Sequence, residues 1–315
     1  MTHSIGALRP PTGVRDNPGV TNPGGDTAAQ AVWDEQSVWS QAADRLKRGI
    51  DRARSGALAL GIAAAVFGTA AAQLMGWSQL LGGALAFGAA LAAGVTPLLA
   101  GRAGPAAIER WTRLRSVSEA MKNEGYTFLA GVSPYRGAGA TEALRRRVEE
   151  LRAEASELLP ETLGLRPVPR VPPPVTDVGS YLEHRLLRQI DGYHRPRAEL
   201  MRRRLVLVRR AELTLGIAGA ALGALAGAFG AEQAAAWVAV TATVAATLSA
   251  HSLAAKYQSQ QVVFVRAADA LRRLLDEWSA GPAARGPEAE DAFVRRCEAA
   301  IAGVNEEWVT KWTAQ

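Results

Sequence analysis

Residues 211–253 read AELTLGIAGAALGALAGAFGAEQAAAWVAVTATVAATLSAHSL, two apolar runs split by a short turn near Glu232. Each run is about 20 residues long, the length a helix needs to cross a hydrocarbon core about 30 Å thick. Gly219, Gly223 and Gly227 share one helical face at four-residue spacing, with Gly216 and Gly230 close by. In lipid no hydrophobic force drives helices together, so such faces matter because they let backbones approach and pack by dispersion. A tight transmembrane hairpin is expected here. No stretch of the chain reads as an active site.

Apolar residues make up 48% of the 315, which by itself would suit a soluble protein. They are gathered, however, into four blocks with almost no charge, at 55–76, 80–101, 211–230 and 234–253. A soluble bundle with Ala-rich core helices competes with the membrane reading. The third block holds Leu213, Leu215, Ile217, Leu222, Leu225 and Phe229 as its strong apolar residues. At roughly −0.3 to −0.6 kcal/mol each they supply only about −3 kcal/mol of insertion free energy, so that helix alone is marginal. Charge placement decides between the two. Arg45, Lys47, Arg48, Arg52 and Arg54 precede the first block, and Arg202, Arg203, Arg204, Arg209 and Arg210 precede the third, while neither turn contains Lys or Arg. Under the positive-inside rule both hairpins point the same way, with both termini and the connecting segment in the cytoplasm of a multi-pass protein. A soluble bundle has no reason to sort its charges so. Net charge +6, from 36 basic and 30 acidic residues, would also suit nucleic-acid binding. Arginines that hug apolar spans read instead as topology signals, and no nucleic acid is expected as a partner.

Taken in order, residues 1–26 are a polar, Gly- and Pro-bearing tail without a signal-peptide core, expected to be disordered. A first module covers 27–159. It opens with an amphipathic helix carrying Trp33, Trp39, Ala42, Leu46, Ile50 and Ala53, then the first hairpin, in which Gly61, Ala65 and Thr69 are small residues at four-residue spacing. Pro97 lies in the hairpin's last turn, where a kink is expected. A helix with Ile108, Trp111, Leu114, Val117 and Met121 follows, then a Gly/Pro-broken loop over 125–139, then a charged surface helix with a narrow Leu144, Val148, Leu151 seam. Six prolines in residues 160–176 mark an extended linker and the domain boundary. A second module covers 177–315 on the same plan. Its approach helix carries Leu182, Leu186, Ile190, Tyr193 and Leu200, interrupted or restarted at Pro196. After the hairpin come the stripes Gln261, Phe264, Ala268, Leu271, Leu275, Trp278 and Phe293, Cys297, Ile301, Val304, Trp308. LALGIAAAVFG at 58–68 and LTLGIAGAALG at 213–223 align without gaps and share seven of eleven residues. Matched identity on a matched plan makes duplication the better account. The fold class expected is an all-α membrane protein, two tandem transmembrane hairpins with long cytoplasmic amphipathic or coiled-coil helices.

Little in the chain could carry chemistry. His184 and His194 are ten residues apart without a surrounding cluster of carboxylates or cysteines, so no metal site is expected. No glycine-rich loop sits between a strand and a helix, which leaves no phosphate cradle and no cofactor. Cys297 is the single cysteine, so no intramolecular disulfide can form. No catalytic residue is assigned. The polar residues of the fourth block are more informative: Thr243, Thr247 and His251 share a face, and Glu212 lies about as far from the turn as His251. Two readings stay open. In one, the hydroxyls bond their own helix backbone and His251 lies at the cytoplasmic interface. In the other, Glu212 pairs with His251 and the stripe lines a pore formed by several chains, since polar groups at membrane depth are functional by default. Arg202, Arg203, Arg204, Arg209 and Arg210 serve topology and anionic-lipid attraction, at about 1 kcal/mol per residue, or dock an acidic partner. Gly61, Gly216, Gly219, Gly223 and Gly227 are assigned to helix packing.

The segments SYLEHRLLRQIDGYH (180–194), the second hairpin and FVRRCEAAIAGVNEEW (293–308) resemble the SLATT family, two-transmembrane domains associated with bacterial nucleotide-signalling and SLOG sensor systems. SEAMKNEGYTFLAGVSPY (118–135) makes the first half similar to a sister subgroup. The resemblance implies an effector of bacterial conflict or immune systems that opens a membrane pore when a sensor protein or nucleotide signal upstream activates it. It brings no catalytic residues. Two modules without a recognisable sensor domain depart from the simplest pattern of that family. The expected function is a non-enzymatic, pore-forming or channel-like homo-oligomer in the lipid bilayer. A membrane scaffold recruiting partners through its cytoplasmic helices is the alternative.

Overall fold

The computed structural model describes residues 23–282 and 285–313, and among them there are helices and loops but no strand. The expected disordered tail lies outside the described residues through position 22, and residues 23–26 already belong to a helix. Four helical stretches are long and apolar enough to cross a membrane: Thr27–Leu74, Gln79–Leu129, Val178–Phe229 and Gln233–Ala280.

The first hairpin is α1 (Pro23–Leu74) and α2 (Gln79–Arg102). What looked like an amphipathic helix followed by a span is one continuous helix of 52 residues. The turn is tight because a Cβ on Gly82 would meet the Met75 backbone at 2.8 Å. Ser78 caps α2, its hydroxyl accepting the Leu81 N–H. The helix runs through Pro97 to Arg102. A Gly104–Pro105 start, with proline where its missing N–H costs nothing, launches α3 (Pro105–Leu129). α4 (Ala140–Glu154) and a 3₁₀ turn (Ser156–Thr162) complete the module.

α3 overturns part of the expected loop over 125–139, because residues 125–129 are helical. A Cβ on Gly125 would lie 2.0 Å from the ring of Trp33 on α1. This glycine is there to admit an indole, and not to break the helix. Trp39, Ile50, Leu114, Met121, Leu144 and Leu151 form the first core around that contact. The α4 seam is thus packed, while its charged side remains exposed.

Of the expected linker over 160–176, residues 160–162 belong to the 3₁₀ turn and 163–164 to the turn after it; the rest is without regular structure up to 176 and is docked. Gln30 and Gln41 side chains donate to the carbonyls of Arg170 and Arg166 at 3.1 and 2.8 Å, and the Val168 N–H donates to Ser37 Oγ at 3.0 Å. Backbone groups left unpaired by the prolines are satisfied by α1.

An Asp177–Ser180 capping box opens α5 (Val178–Tyr181). The helix continues with π-type hydrogen bonding over Leu182–His194 and returns to the α register in α6 (Arg195–Phe229). Pro196 falls in the first turn of that register, where it is tolerated. Gly230, at φ +62°, ends α6 and leads to α7 (Glu232–Ala255). Lys256, at φ 50°, breaks α7 from α8 (Tyr257–Ala280), and α9 (Pro287–Thr313) closes the chain. The second core gathers Tyr181, Leu186, Ile190, Leu271, Val294, Cys297 and Ile301, with Trp278 stacked on Phe293 at 4.2 Å. The Val304 and Trp308 side chains of the expected α9 stripe lie outside the described residues.

The modules are not independent beads. Ala130 and Val132 of the first module belong to the second core. Arg136 clamps Asp291 at 2.8 Å and Glu290 at 3.1 Å on α9. In the spans, Gln73 donates to the Gln233 carbonyl at 3.0 Å and accepts from Trp237 Nε1 at 3.2 Å. Both hairpin turns therefore sit at the same end of the molecule, the parallel arrangement that the charge pattern implied. Within the most apolar window of each span, at most 11% of residues are buried. Leu80, Phe87, Leu98, Leu213, Ile217 and Phe229 are all exposed. Side chains of that size, bare in water over four helices, would be a severe aggregation liability. Surrounded by acyl chains they need no other partner.

Candidate functional site

The residues expected to matter in the spans fall into groups that the fold treats differently. Thr243 and Thr247 donate to the carbonyls of Ala239 and Thr243 at 2.8 and 2.7 Å, bonding their own helix. Thr247 also faces Gly61 of α1, where a Cβ would sit 3.4 Å from its methyl group. Glu212 does not pair with His251 as one reading required. It accepts a hydrogen bond from Ser249, because α6 and α7 cross with residue 249, not 251, opposite it. His251 turns instead toward Tyr257, Nε2 lying 3.4 Å from the hydroxyl.

The glycines divide as well. A Cβ on Gly219 would meet Thr241 Oγ1 at 2.7 Å, and one on Gly223 would touch Val238 at 4.0 Å, so these two serve the α6–α7 crossing. Gly216 and Gly227 have nothing within 4 Å. These two therefore do not serve the α6–α7 crossing, and this half of the glycine face points away from α7. Of the juxtamembrane arginines, Arg202 and Arg203 bind Glu199 at 2.6 and 2.9 Å. Arg204 lies over the Tyr257 ring at 5.5 Å, and Arg209 and Arg210 are exposed at the head of the span.

The strongest electrostatic feature of the bundle outside the spans was missed in the sequence. Arg185 donates through Nε and Nη2 to Glu298 Oε1 and Oε2 at 2.9 and 2.7 Å, and the Tyr181 hydroxyl donates to Oε1 at 2.8 Å. Arg185 and Glu298 are 1% and 3% exposed. The guanidinium also lies 4.4 Å from the Tyr126 ring of the first module, so the cation is shared across the module boundary. Burial works against the charge on Arg185, yet Glu298 more than compensates and raises its pKa. Burial and then Glu298 push the Tyr181 phenol well above its ordinary value.

A second cluster adjoins it. Glu119 on α3 meets Arg115 at 2.6 Å and Lys122 at 3.2 Å. Burial alone would raise its carboxyl, but Arg115, Lys122 and Arg185 hold it down at about 2. His194, 2% exposed, has neither ring nitrogen hydrogen-bonded among the described residues. Burial, then Arg185, lower its pKa to about 4 against the pull of Glu119, so it is neutral at pH 7. This second cluster borders a partly open cavity of about 470 Å³ between the modules. Arg54 on α1, Arg204 on α6 and His251 on α7 line its membrane end, and Trp111, Glu119 and His194 line the other. Among the described residues no group of three or more His, Cys, Asp or Glu is placed to hold a metal ion.

Parallel hairpins, each continuous with a buried core outside the spans, define an all-α membrane protein of four spans in two tandem modules. Residues 181–308 match the family described as SMODS and SLOG-associating 2TM effector domain 1, SLATT_1, and residues 37–143 match DUF4231, a family of unknown function. The second module, which includes Tyr181, Arg185 and Glu298, thus matches the SLATT family, and the DUF4231 match covers the module before it. No curated protein and no solved structure matches the chain.

Proposed function

We propose that this protein is a non-enzymatic, pore-forming effector of the bacterial inner membrane, assembled from several copies with both termini in the cytoplasm and driven by an upstream sensor protein or nucleotide signal. One observation carries the reading. Two parallel hairpins leave at most 11% of the residues in their most apolar windows buried, and Gly216, Gly227, Gly83 and Gly94 face open space. In lipid, open small-residue faces favour association with further helices, and a second copy supplies them. The match to a 2TM effector family supports the effector role. The scaffold alternative draws on stripes that the fold has already used: Trp111, Leu114 and Met121 are buried in the first core, and Phe264 and Leu271 in cores of the second module.

Dye-loaded liposomes of mixed zwitterionic and anionic lipid test the proposal. Purified protein releases the dye with a lag that shortens at higher protein-to-lipid ratio, as an oligomer requires. Liposomes that stay sealed at every ratio and in the presence of partner sensor and nucleotides, together with a monomer in nanodiscs, would end it.

A further inference from the structure

The cavity between the modules is one-sided in charge. Lys47, Arg54, Arg115, Lys122, Arg197 and Arg204 line it against Asp44, Asp51 and Glu119. Two of these carboxylates are already engaged, Asp51 by Lys47 at 2.6 Å and Glu119 by Arg115 and Lys122. Arg197 and Arg204 have no carboxylate within ion-pair distance among the described residues and lie instead over the rings of Tyr193 and Tyr257, at 5.2 and 5.5 Å. The wall also contains His194, whose two ring nitrogens are buried without hydrogen-bond partners. A buried polar group left unbonded is costly, and a polar group on an occupant would relieve that cost by accepting from the imidazole N–H or donating to its other nitrogen. Excess cations, aromatic walls and an orphaned imidazole converge on one space. Elsewhere in the chain no such convergence occurs among the described residues.

We propose that this cavity is a binding site for a small organic phosphate, its phosphate held by Arg197 and Arg204 and its organic part against the Tyr193 and Tyr257 rings, reaching His194 at the far wall. The site rests on the effector reading only in that its occupancy is the natural trigger; binding itself stands apart from conduction. The phosphate has two sources: a soluble nucleotide, or the headgroup of an anionic lipid reaching in past Arg54 and His251.

The test uses the full chain in nanodiscs. In phosphatidylcholine discs, AMP and pyrophosphate are titrated calorimetrically. From mixed phosphatidylcholine and phosphatidylglycerol discs, retained phosphatidylglycerol is counted by native mass spectrometry. Arg197→Ala and Arg204→Ala change exposed side chains and keep the fold. Each is expected to weaken binding of whichever probe is held by about tenfold or more, the loss of one charge-assisted hydrogen bond. His194→Gln weakens it as well. Soluble-probe binding assigns the site to a nucleotide-like ligand, and phosphatidylglycerol retention lost in the variants assigns it to lipid. Absence of both, or binding unchanged in Arg197→Ala and Arg204→Ala, overturns the site. Conduction is not read here, so a chain that binds but never leaks keeps this site and sinks the pore.

Discussion

Replacing Arg185 by Met isolates the buried ion pair. The change removes two hydrogen bonds, of 2.9 and 2.7 Å, and leaves the Glu298 carboxylate 3% exposed with only the Tyr181 hydroxyl for company. Breaking one partner out of a buried pair costs about 3–5 kcal/mol, because an uncompensated charge stays in a poorly polarisable interior. Against a total stability of about 5–15 kcal/mol that is a large fraction. A few degrees of melting temperature per kcal/mol gives a drop of roughly 10 °C. Removing both charges behaves differently. Arg185→Met with Glu298→Met leaves no buried ion, and apolar replacements of a buried pair are often neutral. The Tyr181 hydroxyl then lacks its acceptor, so adding Tyr181→Phe recovers a further 1 kcal/mol or so. Melting of the full chain in detergent, followed by tryptophan fluorescence, ranks the four proteins: wild type and triple variant high, double variant lower, single variant lowest. A single variant within about 2 °C of wild type, or a triple variant no better than the single, refutes the reasoning.

Gly125→Ala forces a Cβ to within 2.0 Å of the Trp33 ring; the overpacked core loses about 1–3 kcal/mol, and Trp33→Leu in the same chain restores part of it in the same melting assay. His194 has a folded pKa of about 4, below its ordinary 6.5. The unfolded chain therefore takes up a proton that the folded chain refuses, and stability falls between pH 6.5 and 4 by up to about 3 kcal/mol. Glu119, held at about 2, continues the loss below pH 4.5, whereas His194→Gln flattens the upper part of the profile only. Cys297 is buried, and that burial, helped by Glu298, pushes its thiol up to about 12, so maleimide labels it only after unfolding. Its silence lets introduced cysteines report topology: in intact cells an impermeant maleimide should reach Trp77→Cys in the first turn, 81% exposed, and not Val171→Cys in the linker, 89% exposed. The reverse pattern would invert the topology.

The membrane part of the fold was legible because lipid imposes one strong rule, long apolar helices with sorted charges, and the sequence obeys it in all four blocks. The stripes outside the spans were legible too: Trp39, Ile50, Leu114, Met121, Leu271 and Cys297 are buried where the period of 3.6 places them. That same period misled at 181–194. With π-type bonding the inward face becomes Tyr181, Arg185, Leu186, Ile190 and His194, while Leu182 and Tyr193 are only half-buried. No α-helical wheel turns a charged Arg185 to the core, though an arginine four residues after a tyrosine on an apolar stripe was the available hint. Gly125 and the linker failed for another reason. Their roles depend on Trp33 and on α1 side chains about ninety and more than a hundred residues away, and spacing along the chain carries no information about such partners.

α1 is unbroken from the Trp33 contact to the Gln73 turn, and its 52 residues span about 78 Å at 1.5 Å per residue. Such a helix is a lever. If the cavity beside Arg54 closed by tilting α1 about the Trp33 contact through about 5°, the Gln73 end about 60 Å away would sweep about 5 Å. That is about half the distance between packed helix axes, so a small movement at the packed cores would be felt as a shift of neighbours at the far end of the spans.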